Sequence, residues 1–188
     1  MYRLYLKRAF DIVIASTGLV ILSPALLIAA LAIRLEDGGS ALFRQRRVGR
    51  NGSLFTVLKF RSMPVNTGDM PSAEARSTKV TKVGKLIRRT NIDELPQLFN
   101  VVKGDMSLVG PRPALPIQRQ LCEYRGQIGA LACKPGLTGL AQINSYDGMP
   151  EREKAEWDGR YASGVSFLTD IDIIARTLGY LLKRPPVY

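Results

Sequence analysis

Asp93 and Glu94 stand side by side in a stretch otherwise dominated by positive charge. Lys79, Lys82, Lys85, Arg88 and Arg89 precede them; Lys103 and Arg112 follow, the latter inside Gly110-Pro111-Arg112-Pro113. Cations this dense hold an acidic pair ionised, and the same cations neutralise a bound polyanion. Carboxylates that attack or hold a metal, beside cations that spread phosphate charge, are the parts phosphoryl transfer needs. A plainer reading competes with that one. Acids favour the first turn of a helix and Pro96 is tolerated only early in one, so the pair also suits a helix start near Asp93.

Composition narrows the field. At 188 residues the chain is one domain with length enough for a core. A net charge of +11 and a pI near 10.0 favour an anionic partner: nucleic acid, a lipid surface or a phosphorylated substrate. There is no histidine, which excludes Ser-His-Asp and Cys-His catalysis and His-ligated zinc. Acid–base work falls to carboxylates, lysine or tyrosine, and a catalytic metal should be a hard, oxygen-ligated ion such as Mg²⁺ or Mn²⁺. Cys122 and Cys133 match no zinc or redox spacing and read as buried thiols in a reducing compartment.

The elements that must position the acids begin with an apolar run, Ile12 to Ile33, long enough to cross a bilayer. Pro24 interrupts it near the middle, so a break is expected at Ser23-Pro24, with the Ser23 hydroxyl free to serve a carbonyl the proline leaves bare. Arg3, Lys7 and Arg8 precede the run, and Arg34, Arg44, Arg46, Arg47 and Arg50 follow it. Basic flanks stay cytoplasmic, so a helix–break–helix hairpin that enters and leaves on one face satisfies both ends. A kinked spanning helix and a cleaved signal peptide ending near Ala30-Leu31-Ala32 are the rival readings.

Beyond this anchor (residues 1–36) lies a body (residues 37–188). Ala41-Leu42-Phe43 and Leu54 to Phe60 read as strands joined through Asn51-Gly52, a hairpin signal. Met63 to Thr78 reads as a mobile loop. Helices are expected at Val80–Arg89, Glu94–Lys103, Ile117–Arg125, Glu151–Ala162 and Asp170–Lys183, the last opened by a Thr169/Asp172 capping box. Ile171, Ile174 and Leu178 give that helix an apolar stripe; core packing explains it, while Tyr180, Lys183, Arg184 and Tyr188 would also suit a membrane interface. The fold class is α+β and mostly helical: a Pro-broken re-entrant membrane helix, then a cytoplasmic body with a small β-hairpin and amphipathic interface helices.

The order of these pieces resembles a known family. It runs from the basic N-terminus with Ser23-Pro24 through Phe43-Arg44-Gln45-Arg46-Arg47-Val48-Gly49 and Lys59-Phe60-Arg61-Ser62-Met63. It continues through Arg88 to Val101 with the acidic pair at its centre, then Gly104 to Pro113 and Lys134-Pro135-Gly136-Leu137-Thr138-Gly139. On these residues the chain resembles the small monotopic phosphoglycosyl transferases of the bacterial sugar transferase family. The resemblance covers nearly the whole chain and looks like a minimal catalytic unit, without the extra N-terminal membrane domain of larger members.

The resemblance implies a two-step exchange at the cytoplasmic face of a bacterial inner membrane. A UDP-sugar would donate its phosphosugar to Asp93 and release UMP; a polyprenol phosphate would then take the phosphosugar, beginning glycan assembly. Glu94 would act as metal ligand or base, with Mg²⁺ (or Mn²⁺) held by Asp93 and Glu94. Arg88, Arg112 and Lys59 are the candidate phosphate contacts. Gly110, Pro111 and Pro113 shape a loop, and Lys134-Pro135-Gly136 a turn. Two other classes remain in view: a membrane-associated basic scaffold, and a nucleic-acid-binding protein. The second is disfavoured because Ile12–Ile33 has no place in a soluble binder and no aromatic platform interleaves with the cations.

Overall fold

Lys7–Asp37 form one helix, α1, of 31 residues. Asp11, Ala15, Ala29 and Ile33 are buried, with Leu19, Leu22 and Leu26 partly buried between them. Steps of three and four residues put all seven on one side of the helix. Val13, Val20, Ile21, Leu27, Ile28, Leu31 and Leu35 occupy the opposite side and are exposed. By length and apolar character α1 is the one helix among the described residues able to cross a membrane.

The expected helix–break–helix is instead a single helix that continues through Pro24. Proline cannot donate to the carbonyl four residues back, which here belongs to Val20. Ser23 Oγ donates to that same Val20 carbonyl at 2.8 Å, as the sequence suggested, so the bare acceptor is satisfied and helical geometry persists. Gly38, in the left-handed region at φ 72°, closes the helix by donating its N–H to Arg34 O.

This computed structural model describes residues 2–65, 67, 80–146 and 148–182, the side chains of residues 3, 4 and 180–182 excepted. Most of the expected Met63–Thr78 loop lies outside the described residues, as do Lys79, Lys183, Arg184 and Tyr188.

After α1 come β1 (Leu42–Val48) and β2 (Leu54–Phe60), an antiparallel hairpin with Phe43 opposite Lys59 and Gln45 opposite Val57. Asn51 (φ 54°) and Gly52 (φ 80°) take the left-handed conformations that an Asn-Gly turn supplies. β1 runs five residues beyond the expected Ala41–Phe43, because its polar side chains find partners: Arg47 donates to Gln45 Oε1 and to Pro113 O. α2 (Lys82–Arg89) and α3 (Gln97–Lys103) follow. The acidic pair does not open α3. It sits in a separate 3₁₀ turn, Ile92–Glu94, divided from α3 by Pro96.

A second, unanticipated sheet pairs β3 (Ser107–Val109) in parallel with β4 (Gly136–Thr138). The segment read as a turn at Lys134-Pro135-Gly136 is thus the entry to a strand. Three-residue strands are too short to show a period. Their backbones run so close that a Cβ on Gly136 would lie 2.1 Å from Gly110 N.

α4 (Arg119–Gln127), α5 (Leu140–Ile143), α6 (Glu151–Ser163) and α7 (Phe167–Leu182) complete the body. α7 begins three residues before the expected Asp170, because Ser166 Oγ, not a Thr169/Asp172 box, accepts the Thr169 N–H at 3.1 Å. Its core contact is made by Ile173, with Ile174 against the same cluster, whereas Ile171 and Leu178 are exposed. Cys122 and Cys133 are half-buried rather than buried.

Two apolar clusters hold α1 to the body. One joins its first half (Ala15, with Leu19 and Leu22) to Val57, Leu98, Val101, Leu108, Val109, Tyr161 and Ile173. The other joins its second half (Ala29, Ile33) to Phe60 and Ile87. Both halves of α1 therefore rest on the same body. The chain is mostly helical, with a small antiparallel hairpin and an apolar N-terminal helix, as its sequence indicates.

Candidate active site

Asn91 adopts a left-handed conformation (φ 53°, ψ 17°), one of the few residue types that does so without heavy strain. That reversal swings the chain off the end of α2 and into the turn carrying Asp93 and Glu94. Glu94 Oε1 accepts two charged hydrogen bonds, from Lys59 Nζ and from Arg112 Nη2, each at 2.8 Å. Three of the five candidate residues thus meet on one oxygen.

Lys59 comes from the inward face of β2, and its strand is fixed to the acidic segment by Asn100. The buried Asn100 side chain accepts from Leu58 N at 3.0 Å and donates to Thr56 O at 2.7 Å, imitating a neighbouring strand. Asn100 O also accepts the backbone N–H groups of Gly104, Asp105 and Met106, closing α3.

Arg112 comes from the loop that leaves β3, and hydrogen bonds clamp that loop along its length. Gly110 N donates to Thr138 O, Gly136 N to Pro111 O, Arg47 Nη1 to Pro113 O, and Val48 N to Ala114 O. The Arg112 carbonyl itself accepts from Arg125 Nη1 at 3.0 Å. Arg125 is held by Asp158 (2.8 Å through Nε), and both are buried, at 5% and 1% exposure. The Arg112 guanidinium, about half exposed, projects from this rigid base towards Glu94.

Arg88 donates its Nε to Ser62 Oγ at 2.8 Å rather than to either acid. It is nevertheless near enough to favour the ionised form of Asp93. Ser23 and Pro24 lie apart, on the outer face of α1.

The two acids differ in environment. Burial and the neighbouring Glu94 charge push Asp93 up to about 6, against partial opposition from Lys59, Arg88 and Arg112. Burial pushes Glu94 up as well, but Arg112 and Lys59 outweigh it and hold the carboxyl well below the usual range. Lys59 is lowered by burial, with Glu94 opposing. Among the described residues no hydrogen bond or ion pair reaches the Asp93 carboxylate. One acid is therefore a fixed anion between two cations; the other is unencumbered, half-buried and poised to titrate near neutrality.

Such a site can bind polyphosphate between Lys59, Arg88 and Arg112 and offer Asp93 as a nucleophile. A hard divalent ion also fits the donor set. Mg²⁺ takes one or two carboxylates, fills its shell with water and substrate phosphate, and does not need a protein cage. Among the described residues no cluster of three acids, cysteines or histidines exists, so such an ion would rely on Asp93 and Glu94. Sequence reasoning passed over Asn100, Arg125 and Asp158. A lone amide inside the apolar Leu98-Phe99-Asn100-Val101-Val102 was a usable sign for the first; nothing links Arg125 to Asp158 before the chain is folded.

The sequence profile of the family described as "Bacterial sugar transferase" matches residues 2–184. A UDP-glucose:undecaprenyl-phosphate glucose-1-phosphate transferase of Caulobacter vibrioides is 41% identical over 97% of this chain and 72% of its own length. A protein of the same description from Escherichia coli K12 is 42% identical over 92% of this chain and 39% of its own. The UDP-galactose-lipid carrier transferase of Erwinia amylovora is 39% identical over 98% and 42%. The chain thus spans about two-fifths of the length of several of these relatives.

Proposed function

Because this chain belongs to the bacterial sugar transferase family, we propose that it moves a phosphosugar from a UDP-sugar to undecaprenyl phosphate or a similar polyprenol phosphate. The observation that carries the reading is the asymmetry of the acidic pair: Glu94 is pinned by Lys59 and Arg112, while Asp93 has no such partner among the described residues. An Asp93 carboxylate oxygen attacks the sugar-bearing phosphorus. A new O–P bond forms as the bond to the UMP phosphate breaks, and UMP leaves with the electron pair. A polyprenol phosphate oxygen then attacks the same phosphorus and restores the Asp93 carboxylate.

Lys59, Arg88 and Arg112 orient the diphosphate and spread its charge, with Arg88 and Arg112 suited to two-pronged contacts. Glu94 keeps Lys59 and Arg112 aimed into the site. With Asp93 it would hold Mg²⁺, which when bound offsets charge on the diphosphate oxygens. Proton handling is light, because both attacking groups are already anionic above the Asp93 pKa.

Residues 1–36 serve as the membrane anchor and 37–188 as a body at the cytoplasmic face of the inner membrane. α1 enters the bilayer without crossing it. Support comes from its bare apolar face, from basic residues at both ends, and from the contact of both its halves with one body. A straight span would carry one half out of reach of that body. The exposed Leu168, Ile171 and Leu178 of α7 supply a further interfacial surface.

The test is UMP release by detergent-solubilised protein given a UDP-sugar panel, Mg²⁺ and polyprenol phosphate. Release should need the metal, vanish in Asp93→Asn and identify the sugar. Activity that survives Asp93→Asn sinks the covalent route, and silence across the panel from folded protein points to a scaffold. Cysteine tags at each end should both label from the cytoplasmic side.

A further inference from the structure

α2 is a poor helix by its own sequence. It has eight residues, an internal glycine, and two lysines but no acid in its first turn, where the helix dipole disfavours cations. Yet α2 carries Arg88 and leads directly into the Asp93–Glu94 turn. The missing acid comes from elsewhere. Glu36, in the last turn of α1, accepts Lys82 N through Oε1 at 2.6 Å and Val83 N through Oε2 at 3.1 Å. Thr81 Oγ1 accepts the next amide, Gly84 N, at 2.9 Å. One carboxylate from the apolar helix therefore supplies two of the three caps of a helix 46 residues further along the chain.

The other end of α1 does the same for the opposite side of the site. Asp11, 2% exposed, accepts Leu108 N at 3.0 Å. Leu108 and Val109 lead straight into Gly110-Pro111-Arg112-Pro113. About one turn before Asp11, Arg8 donates to Val101 O and Val102 O at the end of α3, the helix that follows the acidic pair. Glu36 and Asp11 lie roughly 37 Å apart along α1 at 1.5 Å per residue. Their partners are the two segments that bring Arg88 and Arg112 to the dyad.

The geometry points to a second role for α1: Glu36 and Asp11 are positioning residues that set where Arg88 and Arg112 stand about Asp93 and Glu94. The catalytic constellation is complete only when α1 is seated on the body along its whole length. An apolar helix whose outer face needs lipid then makes the geometry of the site depend on its bilayer or detergent surroundings. This rests on the transferase reading above for what the site does, but not for how it is held.

Glu36 is exposed, so its substitution leaves the core intact and tests the idea cleanly. Glu36→Ala and Glu36→Gln are compared with wild type by steady-state UMP release and by hydrogen exchange of the α2 amides. Loss of the two caps should lower kcat/KM on the order of tenfold, between the effect of a single lost cap and the ~100-fold of a 1 Å misplacement. Exchange over residues 82–89 should quicken by a similar factor, with Glu36→Gln intermediate. In an Arg88→Ala background, Glu36→Ala should cost no more than about twofold, because its effect passes through Arg88. Asp11→Asn keeps an oxygen for Leu108 N and should be mild, whereas Asp11→Leu should show the same non-additivity with Arg112→Ala.

Two results overturn the inference: kcat/KM and α2 exchange unchanged in Glu36→Ala, or a full loss persisting in the Arg88→Ala background. The latter would make Glu36 a cap with no bearing on Arg88. If wild type itself releases no UMP, the transferase reading fails alone, and amide exchange still decides whether α1 braces α2.

Discussion

The raised pKa of Asp93 makes a claim about stability as well as catalysis. Its folded-state value of about 6 against 3.8 is a gap of about 2.2, or ~3 kcal/mol at 1.36 kcal/mol per unit. The folded protein binds this proton more tightly than the unfolded chain does. The difference has no effect below the unfolded value; stability is then lost as pH rises through 6. Above pH 7 an ionised Asp93 therefore strains the fold by ~3 kcal/mol at most, and Asp93→Asn should remove that strain and, on the proposed route, turnover with it. The mutant's advantage should grow from ~1 kcal/mol at pH 4.5 to ~3 kcal/mol at pH 8. For a chain of this size that is a rise in Tm of roughly 6–12 °C at pH 8. Thermal unfolding of both proteins in the same detergent, with EDTA present to keep metal from Asp93, measures it. A mutant no more stable than wild type at pH 8, or one with the same gain at both pH values, refutes the argument.

Glu94→Gln should strand Lys59 and Arg112 and lower stability at neutral pH by ~1–3 kcal/mol, the half-buried pairs lying below the range of fully buried ones. Whatever turnover remains should show its acid limb in kcat/KM moved to lower pH, because burial still raises Asp93 but the added push of the Glu94 charge is gone. Asn100→Leu leaves Leu58 N and Thr56 O without their partner, which should cost ~1–3 kcal/mol in denaturant unfolding and raise the KM for the donor through Lys59. Asp158→Asn uncouples a buried ion pair and should cost ~3–5 kcal/mol. Arg125→Lys keeps the charge but loses the fork that reaches Arg112 O, so it should lower kcat/KM with a smaller loss of Tm.

Local rules read well where one residue type serves one purpose. Asn51-Gly52 can make only a tight reversal, and the hairpin forms around it. Gly104 ends α3 with φ 104°, and Ser23 serves the Val20 carbonyl that Pro24 leaves bare. Boundaries read less well where partners come from afar. β1 outlasts its expected length because Arg47 donates to Pro113 O across the fold and to Gln45 Oε1 on its own strand, and α7 starts early because Ser166 caps it. β3 and β4 were invisible because three-residue strands carry no period.

What the sequence determined by itself is the chemistry on offer: no histidine, an acidic pair among cations, a basic chain with one long apolar run. Those are properties of residue types, and folding does not alter them. Which acid is free and which is pinned was a tertiary decision. It depends on Lys59 arriving from a hairpin and Arg112 from a clamped loop, 35 and 18 residues away from Glu94. Their convergence within 2.8 Å of one oxygen separates two adjacent carboxylates that look alike in the chain. Electrostatic energy falls with distance through a medium set by burial, and neither distance nor burial exists until the chain is folded.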